Sequence, residues 1–128
     1  MNNMNKTLVK KLDNLWALKI KQEAAMRCEV CGLYLCRLNS HHFISRNHRS
    51  LRWVLDNGFS LCVSHHTFGK VSAHCDPQWF VEYAREQRGE KWYSKIKSLK
   101  NKNNKFSYEE NLEMMDMPLE EIVKKYEQ

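Results

Sequence analysis

Apolar positions near the start of the chain recur with a helical rhythm. Leu8, Leu12, Leu15, Trp16 and Ile20 form one stripe with lysines between them, and no proline or glycine interrupts it. The pattern predicts a helix over residues 7–26. From residue 28 to residue 70 the periodicity fades, and cysteine, histidine and turn residues take over. Short strands are expected at 40–44 and 59–61. The segment between them, SRNHRSLRWVLDNG, carries arginines and closes on an Asn-Gly turn signal.

Periodicity returns at Asp76-Pro77, an N-cap followed by proline at the first helical position. A helix is expected over PQWFVEYAREQR, with Trp79, Phe80, Tyr83 and Ala84 on one face and a stop or kink near Gly89. EKWYSKIKSLK reads as further helix, with Trp92, Ile96 and Leu99 on one side. NKNNKF is a polar, basic linker. Ser107 to Glu110 then matches a capping box, with a second short helix beginning near Pro118. Four parts follow from this pass: an N-terminal helix (1–27), a cysteine- and histidine-rich centre (28–76), a helical support (77–100), and a linker with a helical tail (101–128).

A chain of 128 residues fits one domain with an appendage. With 42% hydrophobic residues and a mean hydropathy of −0.70, the core is modest. Small cores draw on metals or disulfides. No apolar run approaches the roughly 20 residues that span a bilayer. The opening MNNMNKTLVKKLDNLW lacks the apolar core and cleavage site of a signal peptide. The expectation is a cytoplasmic protein, not a membrane one, in which thiols stay reduced and Cys-x2-Cys favours metal over disulfide.

Charge is unevenly spread. The chain carries +6, but residues 109–128 hold seven acids against two lysines, so the rest is +11. A basic body suits binding to a phosphate backbone, and a merely solvated basic surface is the plain alternative.

Five cysteines and six histidines make a metal the natural suspect. In Cys28-Glu-Val-Cys31-Gly32, two thiolates three positions apart precede a glycine, which allows a tight turn to aim both sulfurs at one ion. Cys62 and His65 in LCVSHH mirror that spacing, and the four together make a closed Cys3His zinc site. Cys36 is an alternative fourth ligand in place of His65. Small buried cysteines without metal are the bland reading. Cys75 fits neither scheme and reads as a free thiol. LNSHHFISRN places His41 and His42 side by side. Neighbours in an extended segment point to opposite faces, so the two imidazoles either serve distinct roles or are adjacent by chance.

The order CEVC, SHHFISR, DNGFSLC, CVSHH resembles the HNH endonucleases, the His-Me finger or ββα-metal superfamily, over residues 28–77. HFISR followed by CVSHHTFGKVSAH is also similar to phage recombination nucleases of the NinG (Rap) type. One departure is His65, which stands where the second knuckle's last cysteine is usual. The resemblance implies an α+β fold: a zinc-supported ββα-metal core flanked by an N-terminal helix and a C-terminal helical extension. It implies that His41 and His66 hold a catalytic divalent metal, that His42 is the general base, and that Asn57 holds the loop so that His42 is aimed. His74, just ahead of the Asp76 helix start, is a third ligand or a phosphate contact, with an ordinary loop histidine as the alternative. His48, among arginines, reads as a phosphate-side or surface residue.

The implied activity is hydrolysis of DNA phosphodiesters, leaving 5′-phosphate and 3′-hydroxyl ends, in a phage or bacterial setting. Imidazole ligands suit manganese or nickel at least as well as magnesium. Arg46, Arg49, Arg52 and Lys70 are expected to contact phosphates, extended by Arg85, Arg88, Lys91, Lys95 and Lys97, so binding should weaken with salt. The alternatives are a nuclease specific for branched recombination intermediates, a non-catalytic zinc DNA-binding module, and a zinc module that docks a protein partner through the acidic tail. The Leu8–Ile20 stripe leaves a homodimer open, and a phage protein partner is equally open.

Overall fold

In a computed structural model, the described residues are 6–34 and 37–100. The Cys36 alternative and the expected linker and acidic helices at 101–128 lie outside them. The apolar stripe near the N-terminus forms helix α1, Lys6–Glu23. It buries Leu12, Leu15, Trp16 and Ile20. The helix stops short of residue 26 because Ala25 and Met26 turn left-handed, with φ of 54° and 57°. The Met26 N–H donates to the Lys21 carbonyl (2.8 Å) and the Ala25 N–H to that of Gln22 (3.0 Å). That paired cap usually employs glycine. Here alanine takes the position, which removes the sequence signal for the stop.

Strands β1, Leu38–His42, and β2, Gly58–Cys62, pair antiparallel with Leu38 opposite Cys62 and His42 opposite Gly58. β1 starts two residues earlier than the alternation suggests. It ends at His42 because the Ile44 N–H goes to the Asn57 side chain (2.9 Å) instead of a strand partner. The Asn-Gly pair is not a turn. Asn57 closes a short 3-10 turn, Leu55–Asn57, and Gly58 is extended at φ −118°, ψ 146°.

Helix α2, Pro77–Arg88, begins as its punctuation predicts: the Asp76 carboxylate accepts the Trp79 N–H at 3.1 Å. Gly89, at φ 92°, separates it from α3, Glu90–Lys100. The hairpin lies between two helical layers. On one face Trp16 and Ile20 press on Gly58, and the Ser40 hydroxyl donates to the Ala17 carbonyl (2.6 Å). On the other, Phe80 and Ala84 of α2 join Phe59, Leu61, Cys28 and Cys62 in one buried cluster. Residues 28–76 and 77–100 therefore share a core.

The chain is a small α+β protein. Among the described residues no helix is long and apolar enough to cross a membrane.

Candidate functional site

The CEVCG stretch folds back on itself as its glycine suggests. The Cys28 N–H donates to the Leu33 carbonyl (3.0 Å), the Gly32 N–H to Cys28 (2.8 Å), and Arg27 pairs with Tyr34 in a β-bridge. Gly32 sits at φ 76°, where a side chain is strained. Glu29 anchors this turn to the sheet. Its backbone N–H donates to the Ser60 carbonyl (2.8 Å) and its carboxylate accepts the Ser60 N–H (2.6 Å). Cys28 and Cys31 are thereby brought to the end of β2, where Cys62 and His65 wait.

One ligand atom from each of Cys28, Cys31, Cys62 and His65 falls within a 4.8 Å cluster. His65 Nδ1 lies 3.3 Å from Cys62 Sγ and 3.8 Å from Cys28 Sγ. Ligands at Zn–S of about 2.3 Å and Zn–N of about 2.0 Å in tetrahedral array have sulfur-to-nitrogen distances of about 3.5 Å. The four groups fit a structural zinc. Burial resists ionisation of Cys28, but backbone N–H groups of Cys31, Cys62 and Val30 outweigh it and hold its thiol below the ordinary value. Burial, then the neighbouring Cys28 and Cys31, push Cys62 up. A dication among the three sulfurs removes that repulsion.

After β2 the chain makes a single π-turn, Ser64–Phe68, closed by the Gly69 N–H on the Ser64 carbonyl (2.8 Å). A Cβ at 69 would meet that oxygen at 2.5 Å, so glycine is required by close approach. Adjacent residues of a helical turn point in different directions, and such turns favour functional positions. His65 faces the cysteines. His66 faces a second cluster.

That second cluster is His41, His66 and His74, again within 4.8 Å. The loop after the π-turn is stapled back by two consecutive backbone bonds, Ala73 N–H to His65 (2.8 Å) and His74 N–H to His66 (3.0 Å). The staple sets His74 Nε2 3.1 Å from His66 Nε2. The His41 ring is 5.1 Å from each of the other two. His66 Nδ1 is buried without a hydrogen-bond partner among the described residues. Three imidazoles, each offering one nitrogen to a single cluster, fit a divalent transition metal. Burial, followed by His66, His74 and His42, pushes the His41 pKa down to about 3. Burial and then His74 also lower His66.

His42 points to the opposite face of β1, toward α1. Its Nε2 donates to the Arg52 carbonyl at 2.9 Å, which fixes the tautomer, because a carbonyl only accepts. Burial holds its pKa below the ordinary value, and the Arg52 contact only partly opposes that. Both His41 and His42 line a cleft of about 820 Å³ that runs between α1 and α2, with His66, His74 and Arg46. Asn57 is wholly buried. Its amide holds the Ile44 N–H (2.9 Å) and donates to the carbonyls of Ile44 (2.9 Å) and Leu51 (3.2 Å). It shapes the loop that carries Arg52 and does not meet solvent.

The basic residues divide. Arg46 and Lys70 are exposed, and Arg46 lines the cleft. Arg49 begins a 3-10 turn, Arg49–Leu51. Arg52 is committed elsewhere: it forms a two-pronged pair with Asp13 at 2.9 and 2.7 Å. Arg88, expected in a phosphate footprint, instead donates to Glu29 (2.9 Å), Asp56 (2.9 Å) and Gly58 (2.6 Å), and lies over the Phe59 ring. Arg85 pairs with Glu90 and Lys95 with Asp56. Trp53 is buried, and its indole N–H donates to the Asp13 carboxylate (2.8 Å). Cys75 is an exposed free thiol. Its S–H donates to the Thr67 carbonyl at 3.1 Å.

Two residues at the site escape the sequence reading. Trp16 stacks on His42, and Asp13 holds Arg52. Their only signal is membership of the α1 stripe or its border. In comparisons with protein-family models, curated proteins and solved structures, nothing matches this chain.

Proposed function

We propose that this protein is a metal-dependent endonuclease of the HNH type that hydrolyses phosphodiester bonds in DNA. The observation that carries the reading is the pairing of two imidazole groups across one strand. His41, with His66 and His74, forms a three-nitrogen cluster, and His42 shares the same cleft with its tautomer set by Arg52.

The residues divide the work as follows. Because Nε2 of His42 keeps its proton on the Arg52 carbonyl, Nδ1 carries the lone pair. A lowered pKa keeps that ring neutral at pH 7, ready to take a proton from water. As Nδ1 takes the proton, the water oxygen bonds to phosphorus and the P–O3′ bond breaks. The 3′ oxygen leaves with a proton from solvent, giving 5′-phosphate and 3′-hydroxyl ends. A divalent ion held by His41, His66 and His74 would supply neutralisation of the phosphate and of the leaving oxygen. Arg46, at the cleft, would hold a flanking phosphate. The Cys28, Cys31, Cys62 and His65 site braces the turn on which His66 stands, with zinc as its fitting ion.

The test is nicking of supercoiled plasmid by wild type and His42→Ala in magnesium, manganese and nickel, with zinc content measured on both. The expected result is cutting by wild type, strongest in manganese or nickel, and loss in His42→Ala with zinc retained. Salt-sensitive DNA retardation with no cutting in any metal would replace the nuclease with a zinc DNA-binding module. Branched and nicked duplexes in the same assay decide between a general and a structure-specific enzyme.

A further inference from the structure

We infer that Trp16 is a positioning residue for His42, so that helix α1 is part of the candidate active site and not only its support. The inference rests on the reading of His42 as the base. The indole and imidazole rings are parallel, 8° apart in plane, with centroids 3.9 Å apart. Trp16 is 2% exposed, so its ring has no freedom to follow a moving partner. Its own Nε1–H donates to the Val54 carbonyl at 2.9 Å, two residues beyond the Arg52 carbonyl that holds His42 Nε2. Both rings hang from one stretch of backbone.

The seat for the indole is built into the sheet. Gly58 lies directly opposite His42 in the strand register. A Cβ at Gly58 would run into Trp16 Cζ2 at 2.8 Å and into the Ile20 side chain. The missing side chain leaves the space beside His42 that the indole fills. Asp13, one turn before Trp16, ties down the same stretch through Arg52 and the Trp53 indole N–H (2.8 Å). Ser40, on the same face of β1 as His42, is fixed to α1 through the Ala17 carbonyl.

The two restraints on His42 do different things. A hydrogen bond at Nε2 fixes one atom and leaves the ring free to tilt about it. The stack fixes the plane. Together they determine the direction of the Nδ1 lone pair, and a misplacement of about 1 Å at a reacting centre lowers a rate about 10²-fold. A tryptophan that only filled the core would leave the ring behaviour of His42 unchanged when replaced by another apolar side chain of adequate bulk.

The experiment compares zinc-loaded wild type, Trp16→Phe and Trp16→Leu in the full chain. Each is measured for zinc content, DNA affinity, kcat and KM for nicking, and the ring 15N resonances of His42. The expected result for Trp16→Leu is zinc and DNA affinity retained, KM unchanged and kcat down by about 10²-fold. Its His42 nitrogens should keep the Nε2–H tautomer that the Arg52 carbonyl sets but show shifted, exchange-broadened resonances as the ring tilts about that bond. Trp16→Phe, which keeps a ring to stack, should recover most of both. Wild-type 15N resonances in Trp16→Leu would overturn the inference.

If Trp16→Leu fails to fold, the wild-type protein itself decides. A stacked imidazole must show upfield ring-current shifts on its carbon-bound protons, and their absence would also overturn it. A wild type that does not cut DNA would remove the nuclease reading. The His42 resonances would still report whether Trp16 sets the ring.

Discussion

His66 and His74 face each other nitrogen to nitrogen, Nε2 to Nε2 at 3.1 Å. Two imidazoles at that distance share either a proton or a cation. His41 completes the cluster, and no carboxylate among the described residues belongs to it. The donor set therefore carries no negative charge to repel or neutralise, and its protonation state decides whether an ion binds.

A pH dependence follows with a definite sign. His41 is pushed down to about 3 by burial and then by its neighbours, and His66 is lowered too. Below the ordinary histidine value of about 6.5, the unfolded chain binds more protons than the folded one. The protein with zinc on its cysteines and no ion on its histidine cluster should lose stability as pH falls from about 6.5 toward the folded value. Nickel, which binds only the neutral rings, should raise Tm near neutral pH by an increment equivalent to about 2.7 kcal/mol at a hundredfold excess over its Kd. The increment should shrink in acid and vanish in His41→Ala and His66→Ala. Thermal melts across pH, with and without nickel, measure it. An increment that survives in His41→Ala would place the nickel elsewhere.

Zinc removal should be far more damaging. Structural zinc contributes an apparent ~10–16 kcal/mol in zinc-finger peptides, against about 5–15 kcal/mol of net stability for a whole domain. Cys28 and Cys62 also sit inside the cluster that contains Phe59 and Phe80. Chelation, or Cys62→Ser, should abolish the cooperative thermal transition. In cobalt-substituted protein, Cys31→Ser should weaken the thiolate-to-metal charge-transfer band. A chelated protein that melts as before would mean the four groups pack without an ion.

How much of this was open to a sequence reader depended on how local each cause is. Asp76, Pro77 and Gly89 are neighbours of the helix they bracket, so the bounds of α2 stand in the sequence itself. The grouping of Cys28, Cys31, Cys62 and His65 was legible as two short spacings, whereas His41 and His66 were paired only through a resemblance and His74 was one of several readings. The end of α1 was not, because Ala25 supplies a turn that glycine usually signals. Asn57-Gly58 reads as a turn, and only burial between β1 and the 3-10 turns makes it a brace. Positive charge is visible and its partner is not: Asp13 lies 39 residues from Arg52, and Glu29 lies 59 from Arg88.

That division among the arginines makes a paired prediction. Arg46 is exposed at the cleft, whereas Arg88 holds Glu29, Asp56 and Gly58 together. Arg46→Ala should leave Tm unchanged, weaken DNA binding across sequences, and reduce the slope of log affinity against log salt by about 1. Arg88→Ala should lower stability, by about 1.5–3 kcal/mol for the charge-assisted bonds lost, with little change in the salt slope. Melting curves and titrations at several salt concentrations separate the two. A reversed pattern would place the phosphate contacts on α2 instead of at the cleft.

Gly58 offers the last test, because it joins the two helical layers to the histidine pair. It is buried, extended, and opposite His42. A methyl group there has no room: Ile20 and Trp16 already occupy the space. Extended backbone at φ −118° accepts alanine without strain, so any penalty is one of packing alone. Overpacking a tight core costs about 1–3 kcal/mol. Gly58→Ala should therefore fold with lower Tm and a full complement of zinc, since the knuckle lies at the other end of β2. Because the collision displaces α1 from the sheet, the Trp16–His42 stack should open along with it. A double variant, Gly58→Ala with Ile20→Val, returns volume to the site. It should recover part of the stability if the clash is the cause, and recover nothing if glycine is needed at 58 for its backbone.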